Sequence, residues 1–276
     1  MCIFHGQLTL TLFLYKKSAI TPFIVVALEI AFREIYAYFC IYFFIIFYMK
    51  NIVVLLCAGI GLRFDKTIKK QLYLINQTPL FIVCLKQFLR FKKLIDKLCL
   101  VINKNDQEII RNILIKYGYI DDITLIIGED SRSKSLLNAI IYLNKTYKEP
   151  IKIISHDIAR CFIPLNIIKE HLETKINENE VINTLINLND SILKINNYKI
   201  QTLNRKDYYL IQTPQTFINN KIYQAINNNY QGYLKYTDLC SFAIDMNFKM
   251  KQIEGSILNI KITNKDDIDL LSLIKD

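Results

Sequence analysis

The sequence predicts an α/β fold of the Rossmann-like kind: a mostly parallel sheet with helices on both faces and one projecting β-arm. Two observations lead to this prediction. From Asn51 onwards, short apolar runs alternate with helical stretches, as strands do with crossover helices. Residues 182–210 interrupt that rhythm with Asn, Lys and Thr and with two extended segments around Asn196–Asn197, which indicates a hairpin.

The elements follow one another in regular order. Right-handed crossovers would place the carboxyl ends of the strands along one edge of the sheet, where ligands bind in folds of this class. The predicted strands are Ile52–Cys57, Lys97–Ile102, Ile123–Ile127 and Ile151–Ser155, and the predicted helices are Leu80–Phe91, Gln107–Tyr117 and Ser133–Asn144.

Composition excludes several kinds of protein. The chain has 276 residues, 52% of them hydrophobic, so it can bury a substantial core and is not a disordered protein. Its net charge of +10 is spread along the chain without a dense basic block, so we expect no nucleic-acid partner. Seven cysteines without a CxxC pair and three scattered histidines predict reduced thiols in a cytoplasmic protein and no zinc site.

The first 48 residues differ from the rest. Residues 35–48 form an uncharged apolar run of 14, shorter than the roughly 20 residues that a spanning helix needs. Met49-Lys50 then opens a sequence that resembles an ordinary protein start. We expect residues 1–48 to lie upstream of a true initiator at Met49, followed by a catalytic domain at 49–276. A membrane anchor, and with it a membrane partner, is the alternative.

A glycine-rich turn follows the first predicted strand. Gly59 and Gly61 let the backbone approach a phosphate closely, and Arg63 and Lys70 add positive charge beside it. The turn lacks the third glycine of a dinucleotide fingerprint and the GK[ST] of a P-loop. An ordinary tight turn therefore remains an alternative at this point.

Four further polar motifs follow later strands. In Gly128–Ser135, Ser133 or Ser135 could cap a helix or donate to a phosphate or ribose. In Ser155–Arg160, Asp157 and Arg160 suit metal-phosphate and anion contacts, with a local salt bridge as the alternative. Residues 212–217, QTPQTF, predict a polar turn without a core role. Residues 259–263, NIKIT, predict a late strand in which the single lysine points either to solvent or to an anion.

The order and spacing of these motifs resemble those of the cytidylyltransferases that use 2-C-methyl-D-erythritol 4-phosphate or D-ribitol 5-phosphate. The likeness runs from about Ile52 to the C-terminus, and QTPQ followed by NIKIT at this distance is highly specific to that family. It implies a nucleotidyltransferase that converts CTP and a polyol phosphate to a CDP-polyol and pyrophosphate.

The resemblance also implies roles for individual residues. The family's catalytic residues match Arg63, Lys70, Asp157 and Lys261. Arg63 and Lys70 would stabilise charge on the α-phosphate without a covalent intermediate, and Lys261 would bridge CTP and the polyol phosphate. CTP would be bound by Ala58, Gly59, Gly61, Arg132, Ser135 and Ala159. The acceptor would be bound by Arg160, Asp190, Ser191, Arg205, Thr213 and Thr237. Asp157 would help to hold Mg²⁺ with the CTP phosphates. The hairpin resembles an arm that reaches the partner's site in a homodimer.

Five positions depart from the family pattern, and none removes a charged catalytic group. They are Cys57 before the glycine turn, Lys69 in place of the proline of a PKQ motif, Glu129 in place of a glycine, Cys161 in place of a proline and Ser191 in place of a threonine.

The acceptor is nearly undecided from the residues alone. Asn183-Thr184, seven residues before Asp190-Ser191, and the TDxC motif at 237–240 favour ribitol phosphate slightly, whereas Ala159 matches the methylerythritol enzymes. The methylerythritol enzyme is therefore the alternative. More distant alternatives are another sugar nucleotidyltransferase or a non-enzymatic nucleotide-binding protein.

Overall fold

A computed structural model describes residues 49–59, 64, 68–196 and 199–268 of the chain. The chain divides into two units between Met49 and Lys50, and the described residues belong almost entirely to the second. The expectation for residues 1–48 therefore lies outside the described residues, as do Gly61 and Arg63 of the glycine-rich turn.

A seven-stranded mixed sheet organises this unit. The seven strands are β1 (Asn51–Cys57), β4 (Lys97–Ile102), β5 (Ile123–Ile127), β6 (Lys152–Asp157), β7 (Glu180–Asn187), β10 (Tyr209–Ile218) and β11 (Lys249–Glu254). Their order in the sheet is β11-β7-β10-β6-β1-β4-β5. All neighbours pair in parallel except that β10 runs antiparallel to both β6 and β7.

Two small sheets and a set of helices complete the described fold. The small sheets pair β2 (Leu74–Ile75) with β3 (Thr78–Pro79), and β8 (Ile192–Asn196) with β9 (Lys199–Leu203). The α-helices are α1 (Leu80–Leu89), α2 (Gln107–Lys116), α3 (Arg132–Thr146), α4 (Leu165–Glu173), α5 (Asn219–Asn228), α6 (Tyr230–Tyr233) and α7 (Leu239–Asp245). Short 3-10 turns occupy Lys70–Leu72, Lys92–Leu94, Lys104–Asp106, Ile120–Asp122 and Arg205–Asp207.

Strand β1 is buried on both faces. Ile52, Val54 and Leu56 share one core with residues of α3 such as Leu136 and Ile140. Val53 and Leu55 alternate with them and are also fully buried, which places a second apolar layer on the opposite face. The prediction of a mostly parallel sheet covered on both faces is confirmed.

The predicted elements from 52 to 155 are all present, with ends that differ by at most two residues. The QTPQTF prediction was wrong, because residues 212–217 lie within the central strand β10 rather than in a turn. Their polar side chains are buried and hydrogen-bonded to neighbouring elements, as described below. The prediction of a strand at NIKIT was also wrong. Residues 259–263 form an irregular segment after β11 and pair with no strand of the described chain.

The hairpin that the sequence predicts is present but shorter than residues 182–210. Its strands β8 and β9 pair with each other, whereas residues 180–187 and 209–218 belong to the main sheet. Asn197, in the expected turn, lies outside the described residues. No helix within the described part of the chain is both long and apolar enough to cross a membrane.

Candidate active site

Asp157 ends strand β6 and lies between two cations from distant parts of the chain. Arg132, the first residue of α3, donates from Nε to Asp157 Oδ1 at 2.8 Å. Lys261, in the irregular segment 255–263, donates from Nζ to Asp157 Oδ2 at 2.8 Å. Each carboxylate oxygen therefore has its own cationic partner, and the local salt bridge to Arg160 is absent from the ion pairs of the described residues.

The electrostatics of this triad favour its charged form. Burial alone would raise the pKa of Asp157, but attraction to Arg132 and Lys261 outweighs burial and holds that pKa well below its usual range. Burial acts to lower the pKa of Arg132, and Asp157 more than compensates, so that pKa is raised. The carboxylate is ionised at any physiological pH.

A third cation, Lys70, contacts the backbone next to Lys261. Lys70 donates from Nζ to the carbonyl oxygen of Ile262 at 2.9 Å. The backbone N–H of Ile262 donates to the carbonyl oxygen of Ala159 at 2.8 Å, and this bond connects the irregular segment to the loop after β6. Lys70 and Lys261 are thus brought to one end of the sheet, although 191 positions separate them in the sequence.

Arg160 lies beneath that segment and holds its backbone. Its Nη1 donates to the carbonyl oxygen of Asn259 at 2.7 Å and its Nη2 to that of Ile211 at 3.4 Å. Its Nε is buried and has no hydrogen-bond partner among the described residues.

His156 and Thr213 fix the backbone at Asp157. His156 Nε2 lies 3.1 Å from the carbonyl oxygen of Arg160, which can only accept, so Nε2 carries the hydrogen. Nδ1 then accepts from the Thr213 hydroxyl at 3.1 Å, and that hydroxyl oxygen accepts from the Asp157 N–H at 3.2 Å. Burial lowers the pKa of His156 to about 4, which keeps the ring neutral.

Arg132 is also held by the strand behind it. Gln215 of β10 accepts from Arg132 Nη2 at 3.4 Å, and its amide nitrogen donates to Asp238 at 2.8 Å and to Asn183 at 3.0 Å. Asp238 in turn caps helix α7 by accepting from the Ser241 N–H. The carbonyl oxygen of Thr237 lies 3.5 Å from Arg132 Nη1.

The loop before α3 depends on close packing at a glycine. A Cβ at Gly128 would lie 2.7 Å from Ala58 Cβ and 2.8 Å from Ser135 Oγ, closer than side chains can approach. Ser135 Oγ accepts from the Glu129 N–H at 2.9 Å and donates to the Glu129 carbonyl at 3.1 Å. The expected cap was wrong: Ser131, not Ser133 or Ser135, caps α3 by accepting from the Lys134 N–H.

The structure does not bring every predicted residue to Asp157. Asp190, Ser191 and Arg205 are exposed near the hairpin, where Arg205 Nη1 donates to the Asn189 carbonyl. No hydrogen bond or ion pair within the described ranges joins these three residues to Asp157, Arg132 or Lys261. Their assignment to the acceptor stays a prediction that depends on a partner subunit.

Two supporting residues had no predicted role. Gln212 and Asn259 are both buried and bond to each other, and together they hold the segment that carries Lys261. Their membership of the QTPQ and NIKIT motifs could have indicated a supporting role. Their polarity did not show that they are interior residues.

The residues that favoured ribitol phosphate lie inside the sheet. Asn183 and Thr184 are almost fully buried in β7, where Thr184 donates to the Pro214 carbonyl at 2.7 Å. Cys240 is buried in α7 beside the Ile182 carbonyl. Asn183 Oδ1 accepts from Gln215 Nε2, whereas its buried Nδ2 has no hydrogen-bond partner among the described residues. The other described cysteines are also buried free thiols.

The chain matches the model of a known protein family. A family model described as "IspD: 2-C-methyl-D-erythritol 4-phosphate cytidylyltransferase" matches residues 51–274, about four fifths of the chain. The chain belongs to the IspD family. Its relatives are cytidylyltransferases, so the enzyme class expected from the motifs is confirmed.

Individual IspD relatives cover nearly all of this match. The chain is 34% identical over 220 residues to the 2-C-methyl-D-erythritol 4-phosphate cytidylyltransferase of Clostridium beijerinckii, covering 79% of this chain and 94% of that one. It is 27% identical over 223 residues to the bifunctional enzyme IspD/IspF of Aliarcobacter butzleri. That alignment covers 81% of this chain but 54% of the relative, so the chain spans about half of that bifunctional protein.

A solved IspD structure shares the fold. The crystal structure of 4-diphosphocytidyl-2C-methyl-D-erythritol synthase from Anaerococcus prevotii is 26% identical and superimposes with a TM-score of 0.66. The superposition covers 82% of this chain and 98% of that structure.

Proposed function

We propose that this chain transfers the cytidylyl group of CTP to 2-C-methyl-D-erythritol 4-phosphate and releases pyrophosphate. One observation carries the proposal: Asp157 lies between Arg132 and Lys261, with Lys70 beside them, in a chain that matches the IspD model over residues 51–274. Several cations around one carboxylate suit two phosphate-bearing substrates and do not suit a neutral ligand.

The reaction needs positioning and charge stabilisation rather than a protein nucleophile. A phosphate oxygen of the acceptor attacks the α-phosphorus of CTP, and the bond from that phosphorus to the oxygen shared with the β-phosphate breaks. Lys70, Lys261 and Arg63 would stabilise the negative charge that develops on the α-phosphate and on the leaving pyrophosphate. Asp157 orients Lys261 through the 2.8 Å contact.

The donor set at Asp157 is consistent with Mg²⁺. No group of three or more His, Cys, Asp or Glu side chains in the described residues could hold a metal without other ligands. Mg²⁺ is commonly held by one or two carboxylates together with substrate phosphates and waters. Asp157 would supply the carboxylate, and the ion would neutralise phosphate charge when CTP is bound.

The names of the relatives and the burial of three motif residues support the choice of acceptor. The relatives in Clostridium beijerinckii and Anaerococcus prevotii carry the methylerythritol name. The comparisons give the preference for ribitol phosphate no support, and its motif residues Asn183, Thr184 and Cys240 are interior side chains. The methylerythritol acceptor is therefore the better-supported hypothesis.

A pyrophosphate-release assay tests this proposal. Purified enzyme with Mg²⁺ is given CTP and either 2-C-methyl-D-erythritol 4-phosphate or D-ribitol 5-phosphate. In parallel reactions UTP replaces CTP as the nucleotide substrate. We expect turnover with CTP and the methylerythritol substrate, and a far lower kcat/KM with ribitol phosphate or with UTP. A higher kcat/KM with ribitol phosphate would reverse the acceptor assignment, and no turnover with either acceptor would refute the proposed function.

A further inference from the structure

A buried carboxylate outside the Asp157 triad holds the segment on which Lys70 stands. Asp106 follows strand β4, and its side chain is only 4% exposed. One of its oxygens pairs with the Lys69 ammonium, and the other accepts from Gln71 Nε2 at 3.0 Å. Asp106 therefore binds the residue before Lys70 and the residue after it. Lys69, Asp106 and Gln71 are called the Asp106 clamp below.

The backbone at the Asp106 clamp is tightly turned. Lys70 begins the short 3-10 turn Lys70–Leu72, in which the Leu72 N–H donates to the Lys69 carbonyl at 2.9 Å and the Tyr73 N–H to the Lys70 carbonyl at 3.1 Å. Three residues of 3-10 helix have little stability of their own. Side-chain contacts from the rest of the fold are therefore needed to hold the turn in one position.

Lys69 has a backbone conformation that suits proline. Its φ is −65° and its ψ is 129°, within the range that a proline ring imposes and favours. The resemblance described above implies a proline at this position of the PKQ motif, where this chain has lysine. A lysine backbone is free to leave this conformation, whereas an ion pair to a buried carboxylate opposes that movement.

We propose that the Asp106 clamp is a positioning device for Lys70, in which the Lys69–Asp106 ion pair does the work of a proline. Asp106 holds both neighbours of Lys70, so the Lys70 side chain leaves the turn in one direction and reaches the Ile262 carbonyl, next to Lys261. The inference rests on the proposed role of Lys70 at the α-phosphate. Lys69, Asp106 and Gln71 are positioning residues and touch no reacting atom.

The decisive comparison is between Lys69→Ala and Lys69→Pro. Both variants lose the ammonium group, but only proline restores the backbone restraint. We expect Lys69→Ala to lower kcat about tenfold or more with little change in the KM for CTP, because misplacing a catalytic group by about 1 Å can cost up to about 100-fold. We expect Lys69→Pro to return kcat to within about threefold of the unsubstituted enzyme.

Two further variants separate positioning from folding. In a Lys70→Ala background, Lys69→Ala should lower kcat no further, because the residue that it positions is gone. Asp106→Asn should lower kcat like Lys69→Ala, and Asp106→Asn with Lys69→Pro should recover part of the loss. Every kcat is measured at saturating CTP. Circular dichroism and thermal unfolding of each variant identify any that are inactive because they do not fold.

Each outcome distinguishes the two proposals. Equal losses in Lys69→Ala and Lys69→Pro would show that the Lys69 charge itself is needed, and would overturn the clamp. Unchanged kcat in Lys69→Ala, with kcat strongly lowered but still measurable in Lys70→Ala, would also overturn it while leaving the proposed function in place. An unsubstituted enzyme without turnover, or full activity of Lys70→Ala, would instead overturn the role of Lys70 and the clamp with it.

Discussion

Gln212 Oε1 accepts a hydrogen bond from Asn259 Nδ2 at 3.1 Å, and this buried contact joins strand β10 to the segment that carries Lys261. Asn259 Nδ2 also donates to the Thr213 carbonyl at 2.9 Å, and Gln212 Nε2 donates to the Ser256 carbonyl at 2.9 Å. Residues 255–263 have no strand partner of their own. These two amides, together with Arg160 and the Ile262–Ala159 backbone bond, therefore hold the segment that places Lys261 beside Asp157.

Asn259→Ala should lower kcat about 10- to 100-fold, because Lys261 would no longer be held near its 2.8 Å contact with Asp157. The variant should also lower the free energy of unfolding by about 1–3 kcal/mol, since buried acceptors lose their donor. Steady-state kinetics and denaturant unfolding measure both effects. Asn228→Ala, at an exposed position at the end of α5, is the control and should change neither. An Asn259→Ala enzyme with normal kcat would contradict this role.

Lys261→Ala should reduce kcat/KM by more than about 100-fold, because a preorganised cation would be lost from the developing charge. Lys251→Ala is a closely matched control: Lys251 pairs with Glu180 at 2.7 Å, and the side chains of Lys251 and Lys261 are 41% and 40% exposed. Removing that surface pair should leave the kinetics unchanged and alter stability by less than about 1 kcal/mol. Comparable activity losses in the two variants would show that Lys261 has no special role.

Acid should destabilise the protein through His171, which is fully buried between Thr216 and Thr184. Thr184 donates its hydroxyl hydrogen to the Pro214 carbonyl, so it accepts from His171 Nε2, and Nδ1 accepts from Thr216. Burial is the largest cause that lowers the pKa of His171 from 6.5 to about 3, and repulsion from Lys152 and His156 adds to it. The neutral ring is therefore the folded form.

The direction of the pH effect follows from that shift. Above pH 6.5 the folded and unfolded states both hold a neutral His171, so its contribution to stability is fully present. Between pH 6.5 and about 3 the unfolded state binds a proton that the folded state does not, and stability falls by up to about 1.4 kcal/mol per pH unit. In His171→Gln, the loss of unfolding free energy between pH 7.5 and pH 5 should be smaller by about 2 kcal/mol. Identical losses in both proteins, measured by urea unfolding, would contradict the assignment.

Two glycines near the expected CTP site should respond differently to alanine. At Gly128 the added Cβ would overlap Ala58, Ser135 and Val101, so Gly128→Ala should lower the unfolding free energy by about 1–3 kcal/mol. At Gly59 a Cβ meets no atom of the described residues within 4 Å. Gly59→Ala should therefore keep its stability and lose affinity for CTP, because the methyl group would keep a phosphate from the backbone. Thermal unfolding and calorimetric CTP titration distinguish the effects, and the Gly59 prediction fails if CTP binds with unchanged affinity.

The fold was predictable because its strands are short, apolar and separated by regular helical stretches. Lys97–Ile102 and Ile123–Ile127 match the structure at both ends. The QTPQTF strand was not predictable in this way, since Gln215 and Thr216 are polar yet fully buried. Their burial depends on hydrogen-bond partners from distant parts of the chain, such as Asn183 for Gln215 and His171 for Thr216. Hydrophobic periodicity cannot detect a strand whose interior is held by hydrogen bonds.

The sequence by itself determined the α/β class, the chemical character of the motifs and, through their order, the resemblance to cytidylyltransferases. Only the tertiary structure decided that Asp157 pairs with Arg132 and Lys261, residues 25 and 104 positions away. It also decided that Asn183 and Thr184, whose motif had favoured ribitol phosphate, are interior side chains. The physical reason is that pairing partners and burial depend on which strand ends meet at one edge of the sheet, and spacing along the chain does not record that meeting.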